Sequence, residues 1–210
     1  MILSLLKRNR TKITSRTDVI NALASKHQAT RYLEIGVRNR DANFNKVDIP
    51  HKECVDPDPN SGADFLKTSD AFFAEHPEKR YDLIFIDGLH TGEQVQKDIS
   101  NALKALNENG TIVLHDCNPP TAFHAREEYE VDGTFPPWNG TSWQGFAWWR
   151  KNSDALEMYT VDVDWGIGVV RQGQQTPINV PIDSYEDLES NRVEILNLIS
   201  TDEFQRRLKS

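Results

Sequence analysis

Cysteine is scarce. The chain has two, Cys54 and Cys117, and they form no C-x-x-C pair, which removes structural zinc and dithiol redox motifs from consideration. Both fall near the ends of predicted strands, and two free thiols suit a reducing cytoplasm. Long apolar runs are absent too: nothing approaches the ~20 residues that span a bilayer. Met1 to Leu6 is apolar, but the basic residues Lys7, Arg8, Arg10 and Lys12 follow it. A secretory signal has the opposite order. The expectation is a cytoplasmic protein with no membrane partner. Positive charge is in deficit, with 24 Lys and Arg against 32 Asp and Glu and a net charge of -8. Such a surface repels phosphate backbones. The basic cluster is short and terminal and reads as a solvated tail, so no nucleic-acid partner is expected. Glycine-rich phosphate signatures are missing as well. Gly36 is followed by Val37, Arg38, Asn39 and Arg40, which excludes both the G-x-G-x-x-G dinucleotide fingerprint and a P-loop.

What is present is an alternation of helical and strand patterns, the mark of an α/β domain with a mostly parallel sheet. The length, 210 residues, fits one domain over 1–210, with a core about 18–171 and a helical tail about 184–208. Asp18 to Lys26 predicts a helix, Arg31 to Val37 a strand, Lys52 to Asp56 a second strand and Asp64 to Lys67 a short third one. Ser69 to Glu75 predicts a helical turn. YDLIFIDG is the near-continuous apolar run of a strand buried on both faces. Thr91 and Gln94 have capping-box spacing. Val95, Ile99, Ala102, Leu103 and Leu106 then share one helical stripe, which Gly110 is expected to stop before the strand TIVLHDC. Asn118 to Asn139, with four prolines, predicts a lid or binding loop. Thr141 and Gln144 repeat the capping-box spacing before an aromatic helix. Leu156–Asp162 and Gly166–Arg171 predict two strands joined by a tight turn at Asp164-Trp165-Gly166. Helices are expected from near Ser184 and Ser200. The tail has either the domain or a second copy to pack on, so a homodimer is one expectation.

In an open α/β sheet, ligands bind beyond the carboxyl ends of the strands, at the switch point. Those ends supply Glu34 and Gly36, then Asp56, then Ser69 and Asp70, then Asp87 with His90, and finally His115 and Asp116. Glu34 stands out because an unpartnered carboxylate inside an apolar strand is costly. Two carboxylates and two imidazoles at adjacent strand ends make Asp87, His90, His115 and Asp116 the candidate catalytic group. A ligand with a ribose and no phosphate fits best, with Gly36 allowing close backbone approach and Asp56 accepting from ribose hydroxyls. The aromatics of the late helix, Trp143, Phe146, Trp148 and Trp149, read as core. Trp138, in the loop, is the better pocket wall.

These residues resemble class I S-adenosylmethionine-dependent methyltransferases, specifically the methyltransferase domain 24 family. YLEIGV resembles the first cofactor motif in a short form, and VDPDP the second, with Asp56 in the ribose position. TSDAFF resembles the segment bordering the adenine, with Ser69 and Asp70. The stretch from FIDGLHTGEQV to LHDCNPP is the most distinctive part, and DWGIGVV resembles the late hairpin. The resemblance runs from about Arg31 to Arg171. It implies a Rossmann-like class I methyltransferase fold: a seven-stranded, mostly parallel sheet with an antiparallel last strand and helices on both faces. It implies methyl transfer from S-adenosylmethionine, held by Glu34, Gly36, Asp56, Ser69, Asp70 and Asp87, to a hydroxyl of a small-molecule or glycan acceptor. Related O-methyltransferases hold a divalent ion with acidic residues at the ends of the fourth and fifth strands. Asp87 and Asp116 match those positions, which makes Asp87, His115 and Asp116 a candidate set for magnesium or a similar ion. The sequence departs there, with His115-Asp116-Cys117 in place of Asp-Asp or Asp-Asn. His115 as a ligand favours a softer ion than magnesium. The alternative is a metal-free site with His90 or His115 as general base. It departs again at Thr141-Ser142-Trp143, where relatives carry Gly-Asp-x-Trp. Two other functions stay open on this fold, a metal-dependent hydroxylase-like reaction and a non-catalytic cofactor binder.

Overall fold

The computed structural model describes residues 12–209. Met1 to Leu6 and Lys7, Arg8 and Arg10 of the basic cluster lie outside the described residues. Ser15 caps the first helix, α1 (Arg16–His27), its side chain accepting from the Asp18 amide. The chain continues through β1 (Arg31–Ile35), β2 (His51–Val55), α2 (Ser69–Glu75), β3 (Tyr81–Ile86), α3 (Gly92–Ala105) and β4 (Leu106–Leu114). After the long loop come α4 (Ser142–Asn152), β5 (Leu156–Val161), β6 (Ile167–Gln172), α5 (Tyr185–Leu196), β7 (Leu198–Ile199) and α6 (Thr201–Arg207).

The strands form one seven-stranded sheet in the order β2-β1-β3-β4-β6-β5-β7. Most pairings are parallel, and β6 enters antiparallel between β4 and β5, fed by the late hairpin. The architecture is a Rossmann-like α/β sheet. Alternate strand residues face opposite layers. Leu33, Ile84, Ile86, Ile112 and Met158 pack with α2, α3, α4 and α5 through Phe72, Ile99, Phe146 and Leu188. Tyr32, Leu83, Phe85, Val113 and Val169 pack with α1 and α6 through Ile20, Leu23 and Phe204. Helices therefore cover both faces, and β3 is apolar throughout because both its faces are buried. Trp143 and Phe146 of α4 are core, as their helical spacing suggests, and Trp149 is half-buried, but Trp148, also read as core, is exposed.

Three local expectations are corrected. Asp64 to Lys67 is not a strand: a single bridge pairs Val55 with Phe65, and the seventh strand is β7, parallel to β5 at the opposite edge. Asp64 turns its carboxylate back onto the Cys54 amide, at 3.0 Å. The helix stop expected at Gly110 comes at Ala105. Leu106, placed by its spacing on the helical stripe, turns extended and pairs with Tyr81. Thr141 makes no side-chain cap on α4, because its backbone is not extended there (φ -100, ψ 22). Its hydroxyl accepts instead from the Gly92 amide of α3, at 2.8 Å.

Candidate active site

The chain leaves β1 for β2 on one side and returns to β3 on the other, so the switch point lies between β1 and β3. Gly36 sits there at φ +84, and a Cβ on it would lie 2.1 Å from the Asp87 carbonyl oxygen. Only glycine lets the two strand ends approach this closely. Beside it, Asp56 is anchored at the end of β2. One carboxylate oxygen accepts from the Arg38 amide and the other from the Asp58 amide, each at 2.8 Å. A carboxylate oxygen has capacity for a second hydrogen bond, so both stay available to ribose hydroxyls.

Glu34 is 2% exposed. Its Oε2 accepts from the Tyr32 hydroxyl at 2.6 Å and from Asn43 Nδ2 at 2.9 Å. Burial pushes its pKa up to about 7, against those hydrogen bonds. Ser69 and Asp70 do not join the strand-end group. Ser69 Oγ donates to the buried Asp98 at 2.6 Å, and Gln94 and Asn101 donate to Asp70. Their hydrogen bonds tie α2 to α3.

Asp87, His90, His115 and Asp116 do converge. Asp87 Oδ1 lies 3.3 Å from His90 Nε2 and 3.2 Å from His115 Nδ1. Asp116 Oδ2 lies 3.1 Å from His90 Nδ1 and 3.0 Å from His115 Nδ1. The outer oxygens are occupied elsewhere: Arg16 Nη1 donates to Asp87 Oδ2 at 2.6 Å, and Asn139 Nδ2 donates to Asp116 Oδ1 at 2.7 Å. Burial by itself would raise the Asp87 pKa, but the charge and hydrogen bonding of His115 and His90 hold it far below the usual carboxylate range. Burial likewise opposes charge on both histidines, and the carboxylates outweigh it and raise both. His90 Nδ1 and both nitrogens of His115 are buried and close to carboxylate oxygens, yet none has an aligned hydrogen-bond partner.

Two members of this site were not among the sequence candidates. Arg16 comes from the first turn of α1, and Asp164 comes from the β5–β6 turn. Because β5 runs parallel to β4, that turn emerges at the same carboxyl edge. It runs through three left-handed residues, Asp164 (φ 47), Trp165 (φ 67) and Gly166 (φ 88). Positive φ is strained at a tryptophan. The turn presents Asp164 Oδ2 to the Arg16 amide and Nε at 2.8 and 3.0 Å, with Oδ1 3.5 Å from His115 Nε2. His115 thus lies between three carboxylates. Among the described residues, the donor atoms that converge as a potential cation site are those of Asp87, His90 and Asp116, all within 4.8 Å of one another. His90 stands there where His115 was expected, although His115 Nδ1 also lies 3.2 and 3.0 Å from the same two carboxylates. What sets His115 apart from His90 is its Nε2, which is turned to Asp164 on the Arg16 side of the cluster.

Trp138 stacks on His90, with centroids 5.2 Å apart and an interplanar angle of 20°, and Tyr129 stacks on Trp138. Beyond them lies a groove of about 750 Å³ walled by Leu89, Tyr129, Trp138 and Trp148. Its rim carries Glu93, Glu127, Glu128 and Asp183. The loop that supplies Trp138 is held by Arg126, which donates to the carbonyls of Phe123, Tyr129, Pro136 and Pro137.

A family model described as a methyltransferase domain matches residues 1–117. No curated protein matches the chain. Among solved structures it is similar to an SAH-bound methyltransferase from Podospora anserina, with 17% identity over 77% of this chain and 80% of that one, TM-score 0.53. It is similar to an O-methyltransferase from Bacillus cereus in complex with SAH, with 14% identity over 77% and 84%, TM-score 0.53. A third is the O-methyltransferase TomG of Streptomyces achromogenes, involved in tomaymycin synthesis and crystallised with SAM, with 12% identity over 77% and 81%, TM-score 0.52. At these identities the likeness is one of fold.

Proposed function

We propose, from the premise that this chain belongs to the methyltransferase domain family matched by residues 1–117, that it methylates a hydroxyl of a small-molecule or glycan acceptor using S-adenosylmethionine. The observation that carries the reading is the convergence of Asp87, His90, His115 and Asp116 beside Gly36 and Asp56 at the switch point. Asp56 would accept from the ribose hydroxyls, and the Gly36 turn would admit the donor close to the backbone. Ser69 and Asp70 would border the adenine through the placement of α2, and Glu34 would act from beneath the Gly36 loop. When bound, S-adenosylmethionine supplies an electrophilic methyl group for in-line displacement by the acceptor oxygen.

The protein's own task is to orient that oxygen and remove its proton. Asp87, His90 and Asp116 would hold a divalent ion. The fit rests on their converging donor atoms and on His90 Nδ1, buried and without an aligned partner. One imidazole and two carboxylates suit manganese, iron or zinc better than magnesium. A cation there would lower the pKa of the acceptor hydroxyl. The second reading is metal-free, with His90 taking the proton. It is favoured by the contacts of His90 with Asp87 and Asp116, which fix the ring at the strand ends where an acceptor oxygen would lie. The aromatic groove beyond Trp138 suits the flat face of a sugar or ring, which supports a glycan or cyclic acceptor.

The test begins with calorimetry of S-adenosylmethionine and S-adenosylhomocysteine binding, with and without Mn²⁺. Asp56→Ala is expected to weaken binding by about 1–3 kcal/mol, the scale of a lost hydrogen bond to a buried charged group. Mass spectrometry of a glycoside and phenol panel then looks for a gain of one methyl. Cofactor binding with no methylated product on any hydroxyl would shift the reading to a non-catalytic binder, and absence of binding would remove it.

A further inference from the structure

The two inward-facing carboxylates are each steadied from behind, by different chemistry. Asn139 Nδ2 takes the outer oxygen of Asp116, at 2.7 Å, and is neutral. Arg16 Nη1 takes the outer oxygen of Asp87, at 2.6 Å, and carries a full charge. Arg16 is itself locked in place. Its backbone amide and Nε donate to Asp164 Oδ2, at 2.8 and 3.0 Å, and Nη2 donates to Oδ1 at 3.3 Å. The guanidinium is therefore a fixed resident of the site, and the strained β5–β6 turn is what presents its anchor. The His115 side chain beside it is 6% exposed, aimed at the same oxygens, and unpartnered by hydrogen-bond geometry.

Resting on the metal reading above, we infer that Arg16 sets the affinity of the Asp87–His90–Asp116 site for a divalent ion, holding it weak and exchangeable. The guanidinium takes Asp87 Oδ2 and leaves Oδ1, the oxygen that His90 and His115 also approach, to face an ion. It also places a positive charge one carboxylate away from that ion. Even with water-like screening, repulsion between a unit charge and a divalent ion about 6 Å apart is worth about tenfold in affinity. Removing the charge also frees the negative field of Asp164. An orienting partner with no charge, such as Asn139, has only the aligning effect.

The experiment measures Mn²⁺ binding to the chelator-treated full chain, following the free ion by electron paramagnetic resonance, so that no turnover is needed. Arg16→Gln keeps an amide donor near Asp87 and removes the charge, and it is expected to bind Mn²⁺ at least about tenfold more tightly than wild type. Arg16→Lys keeps the charge and is expected to stay within about threefold of wild type by the same reasoning. Asn139→Ala is expected to bind more weakly. Circular-dichroism melts of all four proteins check that they are folded. Arg16→Gln binding Mn²⁺ no better than a wild type that does bind it would overturn this inference alone, and would make Arg16 an orienting group like Asn139. Neither protein taking up Mn²⁺ at millimolar concentration, with S-adenosylhomocysteine still bound by both, would overturn the metal reading and this inference with it.

Discussion

Glu34 is an acid set in an apolar strand and sealed by Tyr32 and Asn43, with Asn43 Oδ1 in turn accepting from the Thr17 hydroxyl. Its carboxyl is pushed up to about 7 by burial. A raised folded-state pKa means that the folded protein favours the protonated form. The resulting stability is complete below the unfolded value and is lost as pH rises through about 7. The shift corresponds to roughly 3 kcal/mol. Glu34→Gln, which stays neutral, should match wild type within about 1 kcal/mol near pH 5 and exceed it by up to roughly 3 kcal/mol near pH 8.5. Urea denaturation at the two pH values checks this, and a difference that does not change with pH would refute it. The cost of a carboxylate at position 34 was readable from the strand pattern, as were the strand-end positions of Asp56, Asp87 and Asp116. Arg16 and Asp164 were not readable. They meet across 148 positions of sequence, and in the chain one is the start of a short helix and the other part of a turn.

Among the elements, two identical sequence signals had different outcomes. Thr91 and Thr141 both precede a glutamine by three positions. Thr91 has an extended backbone and its side chain accepts from the Gln94 amide. Thr141 is turned by its neighbour Gly140, which is at φ +61 against the His90 carbonyl, and its hydroxyl serves the first turn of α3. Spacing reports an N-cap only when the backbone is free to adopt the cap conformation, and here the packing of α4 on α3 decides. Gly145 makes that packing possible, since a Cβ on it would lie 2.6 Å from the Gly92 carbonyl oxygen. Thr141→Val should therefore destabilise α3 rather than α4, by about 1–2 kcal/mol for an amide left without its acceptor. Hydrogen exchange should accelerate at Gly92 and stay unchanged at Phe146. Faster exchange confined to α4 would mean that Thr141 caps its own helix after all. The absent third strand has a similar origin, because the segment spends its polar groups on Cys54 and Asp56 and has room for one bridge only.

For the molecule as a whole, the question is whether the C-terminal helices belong to the same cooperative unit as the sheet. The sequence left the tail free to pack on the domain or on a second copy. The contacts favour the domain. α5 sends Leu188, Ile195 and Leu196 into one core layer, while α6 sends Phe204 into the other. Between them β7 extends the sheet edge on β5, and the Asn197 side chain donates to the Met158 carbonyl at 2.9 Å. Arg192 also donates to Asn118 and the Pro119 carbonyl, tying α5 to the loop that follows the site. A tail that supplies residues to both layers cannot detach without opening both. We therefore expect one calorimetric transition for the full chain. Phe204 is fully buried, so Phe204→Ala should lower the global unfolding free energy by about 3–5 kcal/mol, the usual cost of emptying a buried aromatic site. If α6 frays independently, the same substitution would leave the main transition in place and speed exchange only after residue 200. That outcome would confine the cooperative unit to the sheet and its nearer helices. A drop of the expected size, seen equally by near-ultraviolet and far-ultraviolet circular dichroism, would mean that site, sheet and tail unfold together. Tail substitutions would then weaken cofactor binding only through the population of folded protein.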